Sequence, residues 1–309
     1  MERHDFMMNI VGIGANVFDT LLTVSCFPKE DTKIKATVTA QSGGGPCATG
    51  LVAARKLGES CAYIGNLTDD SAGVFLKGDF EKYGVSTELT EIKEGYISFT
   101  STIILSEETA SRTCIFERGN IPPTVLSDCQ KKAIADAKIL MVDGNDLPAA
   151  IEGARIAREN GTKVLYDAGG LYEGIEDLLR FTDILIPSEE FAIGLTGETS
   201  VWEAAKKLYE KYSPEVVVIT QGKNGGIIYD GKQVKNYPVF LVNAVDSNGS
   251  GDVFHGAFAA AICKGYSFEQ CCCFSSAVSA IKCTGIGARK SVPDFNTVKI
   301  FLKEKGYEL

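Results

Sequence analysis

The sequence predicts an α/β fold, a mostly parallel sheet flanked by helices, with a small layer of β-strands forming a lid at one edge. Short β-rich runs alternate with helix-patterned segments along most of the 309 residues. Several of these runs are continuously apolar, which suits strands covered on both faces. Two stretches break the alternation with β-branched patterning instead.

In chain order, residues 9–14, 61–65, 138–143, 163–167, 183–186 and 215–220 read as strands. Between them lie segments with helix punctuation: 46–57 opened by Pro46 and closed by Gly58, 147–160 closed by Gly161, and 201–212. Such alternation implies parallel strands with helical crossovers. The two exceptions are 20–42 and 96–118, with β-like alternation over 33–41 and 98–105. These are expected to leave the main sheet as antiparallel strands, pair with each other and cover the carboxyl edge, where ligands of open α/β folds bind. A purely structural or dimer-forming hairpin layer is the alternative. With no internal repeat, low-complexity tract or linker, residues 1–309 are expected to form one domain carrying those insertions.

Composition narrows the function. Hydrophobic residues make up 45% of the chain, enough for a sizeable core, and no window reaches the length of uninterrupted apolar sequence that a membrane span needs. The first residues run straight into the first strand without the sections of a secretory signal, so a cytoplasmic location is expected. The ten cysteines fall inside apolar patterns, three of them consecutively at Cys271, Cys272 and Cys273, and read as small hydrophobes in a reducing compartment. With no Cys-x-x-Cys pair and only two histidines, a zinc site is not expected. A formal charge of −9 argues against a nucleic-acid partner. A small ligand fits better.

The strongest chemical signal is Asp246-Ser-Asn-Gly-Ser-Gly-Asp252, a glycine-rich turn feeding a small-residue helix that begins near Asp252. The amides of Gly249, Ser250 and Gly251 would point outward at the positive end of that helix, a cradle for phosphate. Asp252 stands where it can accept a hydroxyl proton as a phosphoryl group is transferred. An N-cap aspartate after a loop is the plainer explanation.

This run resembles the signature of the ribokinase-like (PfkB-type) carbohydrate kinases, Asp-Thr-x-Gly-Ala-Gly-Asp, with Ser247 for Thr and Ser250 for Ala. The resemblance implies that Asp252 is the catalytic base and that Gly249, Ser250 and Gly251 form the anion hole. Further segments follow in family order from about residue 9 to 298. Gly44 and Gly45 match the glycine pair that lets backbone approach the sugar, with Thr49 where the family often has Asn. Asn16 and Asp19, in a run that lacks the third glycine of a dinucleotide motif, match polar residues for sugar hydroxyls. Thr220, Gly222 and Gly225 match the Thr-x-Gly-x-x-Gly nucleotide loop, and Ala277 a wall of the adenine pocket. Read bare, each is a turn, a hairpin or ordinary core packing.

Arg112 sits where ketohexokinase-like members carry an arginine that reaches phosphate, or is an exposed strand residue. His255, one helical turn after Asp252, reads as packing or supporting. Gly-Gly-Gly-Pro before the first helix and Asp252-Val-Phe-His-Gly-Ala257 look most like the sulfofructose kinase branch, in which Lys33 would meet the acidic end of the substrate. That branch's other anion-binding residues are replaced here by Phe116 and Asn145, so a neutral or weakly acidic ketose is as good a candidate.

The resemblance implies ATP and Mg²⁺ as cofactors and leaves room for a monovalent cation. The family's Asn-x-x-Glu, linked to magnesium, is here Ser188 and Phe191, with Glu190 one residue away, so the metal ligands are unassigned. The expected activity is ATP-dependent phosphorylation of a small sugar. A nucleoside kinase and a catalytically silent, ligand-binding member are the alternatives. Exposed strand edges on the lid point to a homodimer.

Overall fold

The computed structural model describes residues 8–109 and 111–308. The start of the chain, on which the expected lack of a secretory signal rests, lies outside them. The chain enters through β1 (Ile10–Ile13), turns into the long β2 (Val17–Val24) and returns along β3 (Val38–Gly44) to α1 (Pro46–Lys56). There follow β4 (Cys61–Tyr63), β5 (Gly65–Thr68), α2 (Ser71–Tyr83), β6 (Thr90–Lys93), β7 (Thr100–Ser106) and β8 (Arg112–Glu117). The middle of the chain runs through α3 (Asp128–Asp136), β9 (Ile139–Val142), α4 (Leu147–Asn160), β10 (Lys163–Ala168), α5 (Ile175–Leu179) and β11 (Ile184–Pro187). The last part comprises α6 (Glu189–Thr196), α7 (Val201–Tyr212), β12 (Val216–Thr220), β13 (Gly226–Tyr229), β14 (Val234–Tyr237), α8 (Ser250–Cys263), α9 (Phe268–Cys283) and α10 (Phe295–Glu304).

Eight strands form the main sheet in the order β14-β13-β12-β11-β10-β9-β1-β4. The six from β12 to β4 are parallel, and the β13–β14 hairpin closes one edge antiparallel. Side chains alternate between its two faces. Ile10, Ile139, Met141, Leu165, Ile184, Val216 and Val218 pack in one core with α1, α8, α9 and α10. Their neighbours Val11, Ile13, Leu140, Val164, Leu185 and Val217 pack in another with α4, α5, α6 and α7. Both faces being covered, strands such as Ile-Leu-Met-Val of β9 are apolar at every position. Cys271, Cys272 and Cys273 lie buried in the first core, as small hydrophobes. None of the helices among the described residues is long and apolar enough to cross a membrane.

The second sheet, β3-β2-β7-β8, stands over the carboxyl edge of the first. The two excursions do pair, but their junction, β2 with β7, is parallel; only the hairpins β2–β3 and β7–β8 are antiparallel. The reason is connectivity, because β7 arrives after a long crossover through α2 and not by a tight turn. The strand expected over 33–41 begins only at Val38. Asp31 turns the chain with φ 58, and Lys33 lies exposed in the connection that follows.

Where α1 crosses α8 the sequence dictates close approach. A Cβ on Gly256 would lie 2.0 Å from the carbonyl oxygen of Gly50. Small residues at that crossing set the position of the N-terminus of α8, and with it the turn that precedes the helix.

Candidate active site

The carboxyl ends of β1 and β9 meet beside the start of α1. After β1 the chain turns through Gly14, where a Cβ would come within 2.4 Å of the Asp143 carboxylate at the end of β9. That carboxylate, buried, accepts from the amides of Ala15 at 2.8 Å and Cys47 at 3.0 Å, and so ties the turn after β1 to the start of α1. Asp19 projects from β2 and accepts from the Ser101 hydroxyl on β7 at 2.7 Å. Gly44 lies opposite it, and a Cβ there would come within 2.0 Å of Oδ2 of Asp19, so the glycine leaves the carboxylate its present place. Gly45 caps α1 at φ 90, beyond the reach of most L-residues.

A cavity of about 260 Å³ opens between the sheets. Asp19, Ser101, Gly44 and Gly45 line one side, and Asn248, Gly249 and Asp252 the other, under an apolar wall from Phe99, Ile103, Cys114 and Phe116. Arg112 reaches across from β8, its Nη1 donating to Oδ1 of Asn248 at 2.7 Å. That bond makes Arg112 a bridge between the smaller sheet and the glycine turn.

Gly249, at φ 74, caps α8, and a Cβ on it would strike Ala288 at 2.6 Å. Gly251 differs: it is exposed, and a Cβ built there meets nothing within 4 Å. No protein atom requires a glycine at that position. Open space above amides at a helix N-terminus is the geometry of an anion cradle. Asp252 occupies the first turn, half-buried and lining the cavity.

The buried carboxylates hold their protons more tightly than usual. Burial pushes Asp19 up to about 6, against the opposing effects of the Ser101 hydrogen bond and the Arg289 charge. Burial also raises Asp252, while His255 and Arg112 oppose the rise. Asp167, at the end of β10, is raised to about 7 by burial, with His255 opposing.

His255 supports the helix as expected. Its Nε2 faces the Ile186 carbonyl at 3.0 Å and its Nδ1 the Gly251 carbonyl at 2.6 Å. Oδ2 of Asp167 lies 3.1 Å from Nδ1 but receives no hydrogen bond from it, because that nitrogen is directed at the carbonyl.

Other expected residues stand at different distances from the cavity. Asn16 is buried, its Oδ1 accepting from Nη2 of Arg289 at 3.0 Å, and its Nδ2 has no protein partner. Thr49 is wholly buried in α1 with an unpartnered hydroxyl. The exposed Lys33 is not brought to the cavity. Thr220 ends β12 and lines a separate open groove with Ser188, Glu190 and Gln221. The adjoining turn runs through Gly222 at φ 57 to Gly225 at φ 83 and ψ −120, a backbone that demands glycine. Ala277 needs correction as a nucleotide contact: it has no exposed surface and packs into the hydrophobic core behind α8. Ser188 and Phe191 also have structural duties, since the Ser188 hydroxyl caps α6 and Phe191 packs edge-on against Tyr166.

Three contributors escaped the sequence. Ser101 sits in a polar run with no spacing to mark it, and Asn248 at the variable position of the signature run, where no particular side chain is specified. Arg289, buried at 2% exposure, ties Asp79, Asn16 and the Gly44 carbonyl together behind Asp19. Its only sequence signal was a charge just after a glycine turn.

A carboxylate beside open amides at a helix N-terminus, at the mouth of a small cavity, is an arrangement that suits phosphoryl transfer to an alcohol. Residues 7–294 match the pfkB family of carbohydrate kinases, and the chain belongs to that family. It is 29% identical to a 5-dehydro-2-deoxygluconokinase from Clostridium perfringens over 86% of this chain and 85% of that protein. With a ribokinase from Haemophilus influenzae it shares 27% identity over 94% and 97%. Among solved structures, ribokinase from Thermotoga maritima superposes with a TM-score of 0.84 at 28% identity, covering 96% of this chain and 99% of that one. Ribokinase from Arabidopsis thaliana, complexed with ribose and ATP, has the same fold, with a TM-score of 0.85 at 24% identity over 96% and 99%. The protein is an ATP-dependent sugar kinase.

Proposed function

We propose that the cavity binds one small, neutral or weakly acidic sugar and that Asp252 accepts the proton of its reacting hydroxyl. The observation that carries this is the half-buried Asp252 carboxylate beside Gly251, above which the structure leaves open space. Asp19, paired with Ser101, accepts from sugar hydroxyls and fixes which one faces Asp252. As the hydroxyl oxygen bonds to the γ-phosphorus, its proton passes to Asp252 and the bond to the β-phosphate bridging oxygen breaks, releasing ADP. The amides of Gly249, Ser250 and Gly251 receive the charge that spreads over the phosphoryl oxygens. ATP lies along the carboxyl edge from this cradle to the groove beside Thr220 and the Gly222–Gly225 turn.

Magnesium would be held through ATP and by at most one or two carboxylates, as is usual for this ion. The donors present fit that manner of binding: Oδ2 of Asp167 is buried without a hydrogen-bond partner, and Glu190 is exposed in the groove. When bound, the ion neutralises charge on the transferring phosphoryl group.

The apolar wall of the cavity offers no basic group besides Arg112, which is already engaged with Asn248. A strongly acidic sugar is therefore disfavoured. Relatives named 5-dehydro-2-deoxygluconokinase and ribokinase make keto sugar acids and pentoses the acceptors to try first. Phe99 and Phe116 would equally stack on a base, which keeps nucleosides on the same panel. ADP release from ATP and Mg²⁺ across pentoses, ketohexoses, keto sugar acids and nucleosides tests the proposal. Turnover with a sugar supports it; turnover with nucleosides alone, or with no acceptor despite measurable ATP binding, overturns it.

A further inference from the structure

Lys282, near the end of α9, is buried with no exposed surface, and the transfer step above has no use for it. An ammonium is retained in such a place only where acceptors and opposite charge meet it. Its Nζ donates to the main-chain carbonyl of Asp246 at 2.7 Å. Asp246 opens the loop that becomes the anion cradle, and its carboxylate is committed elsewhere: Oδ1 accepts from the amide of Asn248 and Oδ2 from that of Gly287, each at 2.8 Å. Charged or ionisable groups facing Lys282 come from four elements, namely Asp246 in the loop, Asp252 in α8, Cys283 in α9 and Arg112 in β8.

The same end of α9 grips the loop at further points. The amides of Val245 and Asp246 donate to the Cys283 carbonyl at 2.7 and 3.1 Å. The Ser279 hydroxyl donates to the Ser250 carbonyl at 2.9 Å. Those bonds fix where the loop runs. Among these contacts from α9, Lys282 is the one that brings an ammonium group to the loop, opposite the Arg112 guanidinium at Asn248.

We propose that Lys282 is a built-in monovalent cation. Its ammonium holds the Asp246 carbonyl, keeps the Gly249–Gly251 amides aimed at the phosphoryl group, and supplies the positive charge that a bound K⁺ or Na⁺ would otherwise supply to this loop. Lys282 is thus a positioning residue, and phosphoryl transfer needs no added monovalent cation. The catalytic part of this proposal rests on the kinase assignment; the binding part does not.

The test uses the full chain with ATP, Mg²⁺ and the best acceptor from the panel. Chlorides of K⁺, Na⁺, ammonium and choline are compared at constant ionic strength. Wild-type kcat is expected to be flat across the four salts. Lys282→Met in choline should lose kcat on the order of 10²-fold with a smaller rise in the KM for sugar, because the misplaced loop carries the anion cradle while Asp19 and Ser101 on the far side of the cavity stay in place. K⁺ or ammonium should restore part of that loss. In thermal melts, K⁺ should leave the wild type unchanged and raise the Tm of Lys282→Met.

Strong K⁺ dependence of the wild type would overturn the proposal. So would wild-type turnover by Lys282→Met, or a loss that no cation relieves in either assay. If Lys282→Met does not fold, the wild-type salt series decides together with Lys282→Arg, which keeps the charge and should keep salt-independent turnover. If no acceptor supports turnover, the kinase assignment fails, and the K⁺ effect on wild-type melting still judges the cation.

Discussion

At the scale of single residues, the carboxylates around the cavity carry the chemistry, and their proton affinities make it measurable. Asp19, at about 6, and Asp167, at about 7, both lie above the ordinary aspartate value near 3.9. The folded protein therefore keeps protons that the unfolded chain gives up, and stability falls as pH rises through that interval. For Asp19 the loss accrues from about pH 4 to 6 and amounts to roughly 3 kcal/mol. Melting temperature without ligands should accordingly fall from pH 5 to 8, with a shallower slope in Asp19→Asn; a rising profile would contradict the assigned burial. Sugar binding runs the other way. Because Asp19 accepts from hydroxyls, the KM for sugar should increase as pH drops below about 6, and Asp19→Asn should raise KM at every pH.

At the scale of elements, the two helices that meet beneath the cradle separate structural glycines from functional ones. Gly256 meets the Gly50 carbonyl, so Gly256→Ala must push α8 away from α1. It should cost about 1–3 kcal/mol by denaturant titration. Gly251→Ala enters open space and replaces a poor helix former with a better one, so stability should hold or rise by up to about 1 kcal/mol. Turnover of that variant should nevertheless fall on the order of 10²-fold, because the methyl group occupies the place of the phosphoryl oxygens. Unchanged turnover in Gly251→Ala would remove Gly251 from the cradle. The sequence made several helix ends legible, since Pro46 opens α1 and Gly161 closes α4 in plain view. It hid the strand breaks in the smaller sheet. Alternation over 33–37 looks the same in a strand and in an extended loop, and only the turn at Asp31 decides between them.

At the scale of the whole molecule, the order of the motifs revealed the fold, because signatures scattered over nearly 300 residues meet at one edge only if parallel strands bring them there. What one sequence could not show was lateral. The bridge from Arg112 to Asn248 spans 136 positions, and the Arg289 bond to Asn16 spans 273. No local pattern encodes either. Ala277 erred for a related reason, since a helix buried on both sides reads like a helix with one face on a ligand.

The smaller sheet also leaves Val38 and Ile115 exposed on its two open edge strands, β3 and β8. We expect these to pair with a second copy of the chain. Sedimentation should give a dimer that Ile115→Asp converts to monomer; a monomeric wild type at micromolar concentration would contradict this.

The central claim is that Asp252 removes the proton as the phosphoryl group moves. Its most direct test is single-turnover transfer from ATP to the preferred sugar, measured in wild type and Asp252→Asn alongside ATP affinity. A general base of this kind contributes about 10²–10⁴-fold, so the variant should bind ATP as the wild type does and transfer slower by that factor. Transfer within a few-fold of wild type would show that another group takes the proton.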